Sequence, residues 1–271
     1  MSNLRLALTC VALLAPVGGG RGATYNFSNT NLIVINDSLS PPTIATPYPS
    51  AITVTGLTGQ VVTKATATLN GFTHHFPSDV SVLLVGPLGQ RTFLMSEAGG
   101  ASGLSVTNLT ITLDDSAPSY LNLTGRLASG TFKPTNGYLL LYGHPARYNF
   151  PPPVQPGSSN AVATMSVFTN TDPTGSWNLF LVDDASGSAG TISNGWSLSL
   201  TIAVPLQVTQ VQTNALISWP ASAANCTLQR ATNIYSPYWS NLVTAALPSN
   251  GRYTYTNMLG PVPKFFRLVG P

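Results

Sequence analysis

The sequence predicts an all-β fold, a jelly-roll-like β-sandwich followed by a smaller C-terminal β-sandwich. Three observations predict it. Gly and Pro number 24 and 22 in 271 residues, while charged residues are only 7%, against roughly 25% in ordinary soluble domains. The apolar share, 43%, lies in short alternating runs, which fits a packed core and not a disordered chain. The stretch Pro173 to Leu200 shows the pattern most clearly. Trp177, Leu179, Leu181 and Asp183 share one face of a strand, with Asn178, Phe180, Val182 and Asp184 on the other, so this strand buries both faces. A small, Gly/Ser-rich loop follows. Then Trp196, Leu198 and Leu200 alternate with Ser197, Ser199 and Thr201, as in a half-buried antiparallel strand. The two strands read as a pair joined by the loop.

In chain order, Arg5 and the apolar run Leu6 to Val17 read as a signal peptide over residues 1–23, cut after Ala23. The run is too short to span a bilayer, and no second one follows, so the expected location is secreted, extracellular or cell envelope, with no membrane span. Cys10 leaves with the leader. Cys226 is then the one cysteine of the mature chain, read as a buried structural thiol. Residues 24–49 read as an extended leader with one edge strand, Leu32 to Ile35, before a run of prolines. Residues 50–203 form the main domain. Its expected strands include Val61 to Phe72, Val80 to Val85, Thr92 to Met95 and Leu109 to Leu113. Short strands follow over Tyr120 to Tyr142. The Pro-rich segment His144 to Ser159 cannot occupy a sheet centre, and β pattern resumes over Ala161 to Phe168. A boundary falls at Val204-Pro205. Residues 206–271 then hold six or seven short strands, the count of a small fibronectin-III-like or Ig-like sandwich.

Charge divides at the same boundary. Residues 24–202 carry five bases and all eight acids, whereas residues 203–271 carry Arg230, Arg252, Lys264 and Arg267 and no acid. Four scattered bases are too few for a nucleic-acid site, which clusters its Lys and Arg.

The segment Asn70 to Val80, reading NGFTHHFPSDV, with Val82-Leu83-Leu84 and Gly86-Pro87-Leu88-Gly89, resembles the first motif of the P (Homo B) domain of subtilisin-like proprotein convertases. Pro173 to Leu179, Val182-Asp183, Gly190-Thr191-Ile192 and Trp196-Ser197-Leu198 resemble its second motif, in the same order. The resemblance covers about residues 50–203 and implies a jelly roll of about eight strands. In convertases this domain follows a subtilisin-like catalytic domain and stabilises it. No such sequence precedes the motifs here, so the expectation is a non-catalytic protein that acts in binding or stabilisation outside the cell. Its expected partner is a subtilisin-like protease supplied in trans, or a cell-surface or extracellular polymer. The alternatives are a proteolysis-associated module working with that protease, and a carbohydrate-binding jelly roll.

Little in the sequence supports catalysis. The histidines are His74, His75 and His144. Neither a Gly-Thr-Ser nucleophile segment nor a G-x-S-x-G elbow accompanies them, and His74 and His75 read as structural loop residues. The acids are more suggestive. Asp79, Glu97, Asp114, Asp115, Asp183 and Asp184 lie at strand ends or in loops. Calcium takes six to eight oxygen ligands, and Asp79, Asp114, Asp115, Asp183 and Asp184 are its candidate ligands. The competing reading is turn capping. Trp177 and Trp196 read as core, and Trp219 and Trp239 as core of the tail module. Tyr142 and Tyr148, with Tyr138 and Phe150, form the candidate exposed aromatic patch for a carbohydrate ligand.

Overall fold

The computed structural model describes residues 22–40, 42–100, 104–142, 150–152, 163–242 and 249–269. The signal-peptide residues 1–21 lie outside them. The chain forms two compact units. One comprises residues 23–56 and 62–202; the other comprises residues 203–271 with the loop 57–61.

Among the described residues the first unit has thirteen strands: β1 (Ala23–Asn29), β2 (Ile33–Ile35), β3 (Thr43–Ile44), β4 (Ser50–Val54), β5 (Val61–His74), β6 (Val80–Val85), β7 (Arg91–Ser96), β8 (Val106–Leu113), β9 (Gly130–Phe132), β10 (Thr135–Asn136), β11 (Gly175–Asp183), β12 (Gly190–Ile192) and β13 (Trp196–Ala203). One sheet runs β1-β13-β5-β12-β2, with β8 also paired to β5 and β9 to β8. The other runs β10-β7-β6-β11-β3, with β4 also on β11. The leader therefore holds more than one edge strand: β1 pairs with β13 along its whole length, from Ala23↔Ile202 to Asn29↔Trp196.

β11 is buried on both faces, as its sequence requires. Trp177, Leu179 and Leu181 are fully buried on one side. Phe180 and Val182 pack on the other side with Leu83, Val85, Phe93 and Phe150. Trp196, Leu198 and Leu200 of β13 are likewise fully buried. Both indoles satisfy their N–H groups, Trp177 Nε1 donating to the Pro173 carbonyl at 2.9 Å and Trp196 Nε1 to Ser50 Oγ at 3.1 Å. The expected pairing of β11 with β13 is not formed. β11 lies against β6 and β4, β13 lies in the other sheet, and the segment between them forms β12. A strand buried on both faces needs neighbours in the middle of a sheet, and β4 and β6 supply them.

Two segments depart from the expected β pattern. Gly137–Tyr142 is a short helix, α1, and Met165–Phe168 is a 3-10 turn. Met165 and Phe168 are buried and three residues apart, the spacing that puts two side chains on one side of such a turn.

The second unit has β14 (Gln207–Val211), β15 (Asn214–Pro220), β16 (Thr227–Ala231), β17 (Ser240–Asn241), β18 (Arg252–Met258) and β19 (Phe265–Val269). They form two three-stranded sheets, β14-β15-β18 and β17-β16-β19. Its core is Ala215, Ile217, Trp219, Ala223, Leu228 and Phe266, with Cys226 partly buried against it. Burial pushes the Cys226 thiol up, away from reactivity. Trp239, expected in this core, is only half-buried, with the Arg267 guanidinium 4.3 Å from its ring centre. Among the described residues no helix is long and apolar enough to cross a membrane.

Candidate functional site: the acidic end of the first unit

The two motif segments meet where β5 and β11 end. Alternation along β5 turns Phe72 and His74 inward, and both are buried. β12 pairs with β5 through Gly190↔His74. A Cβ on Gly190 would lie 2.2 Å from His74 Cδ2 and 2.4 Å from the Thr73 carbonyl oxygen, so only glycine lets the strands approach this closely. Opposite, Asp183 ends β11 in register with Val80 of β6. His74 Nε2 stands 3.1 Å from Asp183 Oδ2, and both side chains are fully buried. Both ring nitrogens are engaged: Nε2 faces Asp183 Oδ2, and Nδ1 lies 2.8 Å from the Phe76 carbonyl oxygen and 3.1 Å from the Phe76 backbone nitrogen. Asp183 Oδ1 accepts the Ala185 N–H. The pair is thus closed on itself and its loops. His75 is exposed beside it; His144 lies outside the described residues.

Three more carboxyls gather around this pair. The Asp184 N–H donates to the Asp79 carbonyl at 2.9 Å, carrying the β11–β6 ladder one step further. Successive residues point to opposite faces, so Asp184 sits on the face away from Asp183. Its Oδ2 is buried and has no hydrogen-bond partner among the described residues. Burial, together with the charges of Glu97, Asp79 and Asp183, pushes its carboxyl up to about 8. Burial and the Asp183 charge also raise Asp79, eased by a Ser78 hydroxyl bond and by His74. Glu97 is raised by burial and by Asp79. Acids that raise one another's proton affinity share a local field that a cation would relieve.

The five aspartates expected to bind calcium therefore separate. Asp79, Asp183 and Asp184 come together. Asp114 and Asp115 serve elsewhere. Burial opposes the charge of Asp114, but the Lys64 ammonium at 2.8 Å and two hydrogen bonds from Ser116 outweigh it and hold the carboxyl below its ordinary range. Asp115 accepts the Met165 and Ser166 N–H groups, each at 2.8 Å, and the Thr164 hydroxyl at 2.6 Å, so it caps the 3-10 turn. Both are turn-capping residues, the competing reading of the sequence. Glu97 joins the cluster in their place. It follows β7 directly and has a positive φ of 49°, which nothing in the sequence signals beyond its acidity. Among the described residues no three His, Cys, Asp or Glu side chains are grouped to hold one metal ion. With Asp183 engaged on both oxygens, calcium would have to draw Asp79, Glu97 and Asp184 together.

Two members of the expected aromatic patch turn inward. Phe150 is fully buried, its ring 5.9 Å from that of Phe93, and Tyr138 is half-buried against the same cluster. Apolar packing on the outer face of β11 outweighs exposure of these rings. Tyr148 and the Tyr142 side chain lie outside the described residues.

The architecture is that of an all-β protein made of two sheet-built units. No protein-family model matches the chain, and no curated protein matches it. Among solved structures it is similar to one described as the crystal structure of the Aeromonas sobria serine protease (ASP) in complex with the chaperone (ORF2). The match has 15% identity and a TM-score of 0.28, and covers 66% of this chain and 27% of that one. The chain thus spans about a quarter of that neighbour's length.

Proposed function

We propose that this chain is a secreted, non-catalytic β-sandwich protein with a P/Homo B-like unit, acting in binding or stabilisation at the cell exterior. One observation carries the reading. His74 from the first motif and Asp183 from the second are fully buried against each other, so the motif residues hold two strand ends together. A catalytic histidine must reach its substrate within hydrogen-bond distance. His74 instead contacts Asp183 and the Phe76 backbone. The partner this reading favours is a subtilisin-like protease supplied in trans, because the motifs resemble those of a domain that stabilises such an enzyme.

Affinity purification of the mature chain from culture supernatant, followed by casein zymography of the eluate, tests the proposal. A separable protease that elutes with the chain, and that the chain protects against heat, supports it. Casein turnover that stays with the repurified chain and vanishes in His74→Ala overturns it.

A further inference from the structure

From the outer face of the β17-β16-β19 sheet we infer a second binding site, in the C-terminal unit, for an acidic polysaccharide. It goes beyond the function proposed for the first unit and uses none of its residues. The register sets Gln229 opposite both Arg267 and Asn241, so the three side chains line one face of the sheet. They form a chain of planar groups. Arg267 Nε donates to Gln229 Oε1 at 2.8 Å, and Gln229 Nε2 donates to Asn241 Oδ1 at 2.7 Å. The Trp239 ring covers the guanidinium of Arg267. The terminal Nη groups of Arg267 make no hydrogen bond among the described residues, and their fork geometry suits a carboxylate or sulfate.

A turn next to this row presents two tyrosines to water. Tyr235 is 89% and Tyr238 85% exposed. The turn is held by its own bonds: Asn233 Oδ1 accepts the Tyr235 N–H, the Ser236 hydroxyl donates to the Tyr238 carbonyl, and Trp239 Nε1 donates to the Ser236 carbonyl at 3.0 Å. Large rings held out on an ordered turn lose little entropy on binding and offer flat apolar area with a polar tip. The C–H faces of pyranose rings match that area. In-plane amide and guanidinium groups match vicinal hydroxyls and acidic substituents.

Charge selects the acidic class. Residues 203–271 carry four bases and no Asp or Glu, so the unit's field attracts a polyanion. The bases are dispersed, and one of them, Arg267, stands in the row. That is too sparse for a nucleic-acid backbone, which needs a cluster of phosphate contacts.

Native affinity electrophoresis of the whole chain tests the inference, with polygalacturonate, hydroxyethylcellulose or single-stranded DNA in the gel. Tyr235→Ala/Tyr238→Ala is the informative variant, because both side chains are exposed and their removal leaves the core intact. The expected result is retardation by polygalacturonate that salt weakens, and that drops about tenfold or more in the double variant, as for hot-spot aromatics. Four results overturn the inference: no retardation by polygalacturonate, equal retardation by the neutral polymer, stronger retardation by DNA, or retardation unchanged in the double variant. None of them touches the casein and co-purification test.

Discussion

Replacing Asp184 by Asn should make the first unit more stable in alkali than the natural chain. The carboxyl is raised from its ordinary 3.8 to about 8 by burial and by Glu97, Asp79 and Asp183, so the folded state binds its proton more tightly than the unfolded state. Stability linked to this group is complete below about pH 4 and is lost as the pH climbs through 8. At about 1.4 kcal/mol per decade, the full window is worth about 6 kcal/mol. Part of the side chain still meets water, which screens the charge, so about 3 kcal/mol is the expected loss by pH 9. About 2 kcal/mol of that loss falls between pH 5 and pH 9, and a unit of this size shifts by about 2–4 °C per kcal/mol, giving roughly 4–8 °C over that range. Asp184→Asn removes the charge and relieves Asp79 and Glu97, so its melting temperature should change by less than half as much over that range. Differential scanning calorimetry at matched ionic strength would measure this and separate the two units. A variant that loses as much stability as the natural chain between pH 5 and pH 9, or that melts lower at pH 9, would refute the reasoning.

Calcium at millimolar concentration should raise the same melting temperature at pH 8.5 but not at pH 5, and the rise should shrink in Asp184→Asn; a pH-independent shift would place the ion elsewhere. Gly190→Ala should destabilise the first unit by about 3 kcal/mol in urea titration, because the new methyl would press on the Thr73 carbonyl and on a buried, hydrogen-bonded ring. His74→Ala leaves Asp183 buried without its partner and should cost about 3–5 kcal/mol in the same titration, with no gain or loss of hydrolytic turnover. Asp115→Ala should cost about 1–2 kcal/mol, the range for a lost helix cap, whereas Asp114→Ala should cost at most about 1 kcal/mol because its Lys64 partner is half exposed.

Much of the fold was legible because alternation alone determines it. The apolar positions of β11 and β13 declare which strand is buried on both faces and which on one, and Trp177 and Trp196 are in the core. What alternation cannot declare is the neighbour. β11 and β13 look like a hairpin because they are consecutive long strands, yet they lie in different sheets. The three-residue strand β12, which separates them, carries too few side chains to show a period. The site was legible in the same partial way. Asp79, Asp183 and Asp184 adjoin strand ends that the topology brings together. Asp114 and Asp115 also adjoin a strand end, but Lys64 and the turn at Met165 capture them. Spacing along the chain contains no trace of either partner. Trp239 was misplaced for a related reason: its ring rests on Arg267, a residue whose charge marks it as surface, and sequence cannot show that the two share a face.

The pairing of β1 with β13 bears on how the chain comes to be folded at all. Thr24 and Thr201, whose hydroxyls lie 3.1 Å apart, are 177 positions apart in sequence. β4 and β6 likewise wait for β11 to arrive between them. Contacts so distant make folding slow, because loop closure must precede any gain from the pairing. A ribosome delivers this unit with its first strand waiting for its last: β6 can pair with β7 and β5 with β8 as they emerge, but neither sheet is complete until β11, β12 and β13 arrive. The unit therefore cannot complete its sheets until nearly all of its own sequence has been made, and up to that point its partly paired strands leave open edges. This is the state in which β6, apolar at five of its six positions, most needs a chaperone to keep it from other chains.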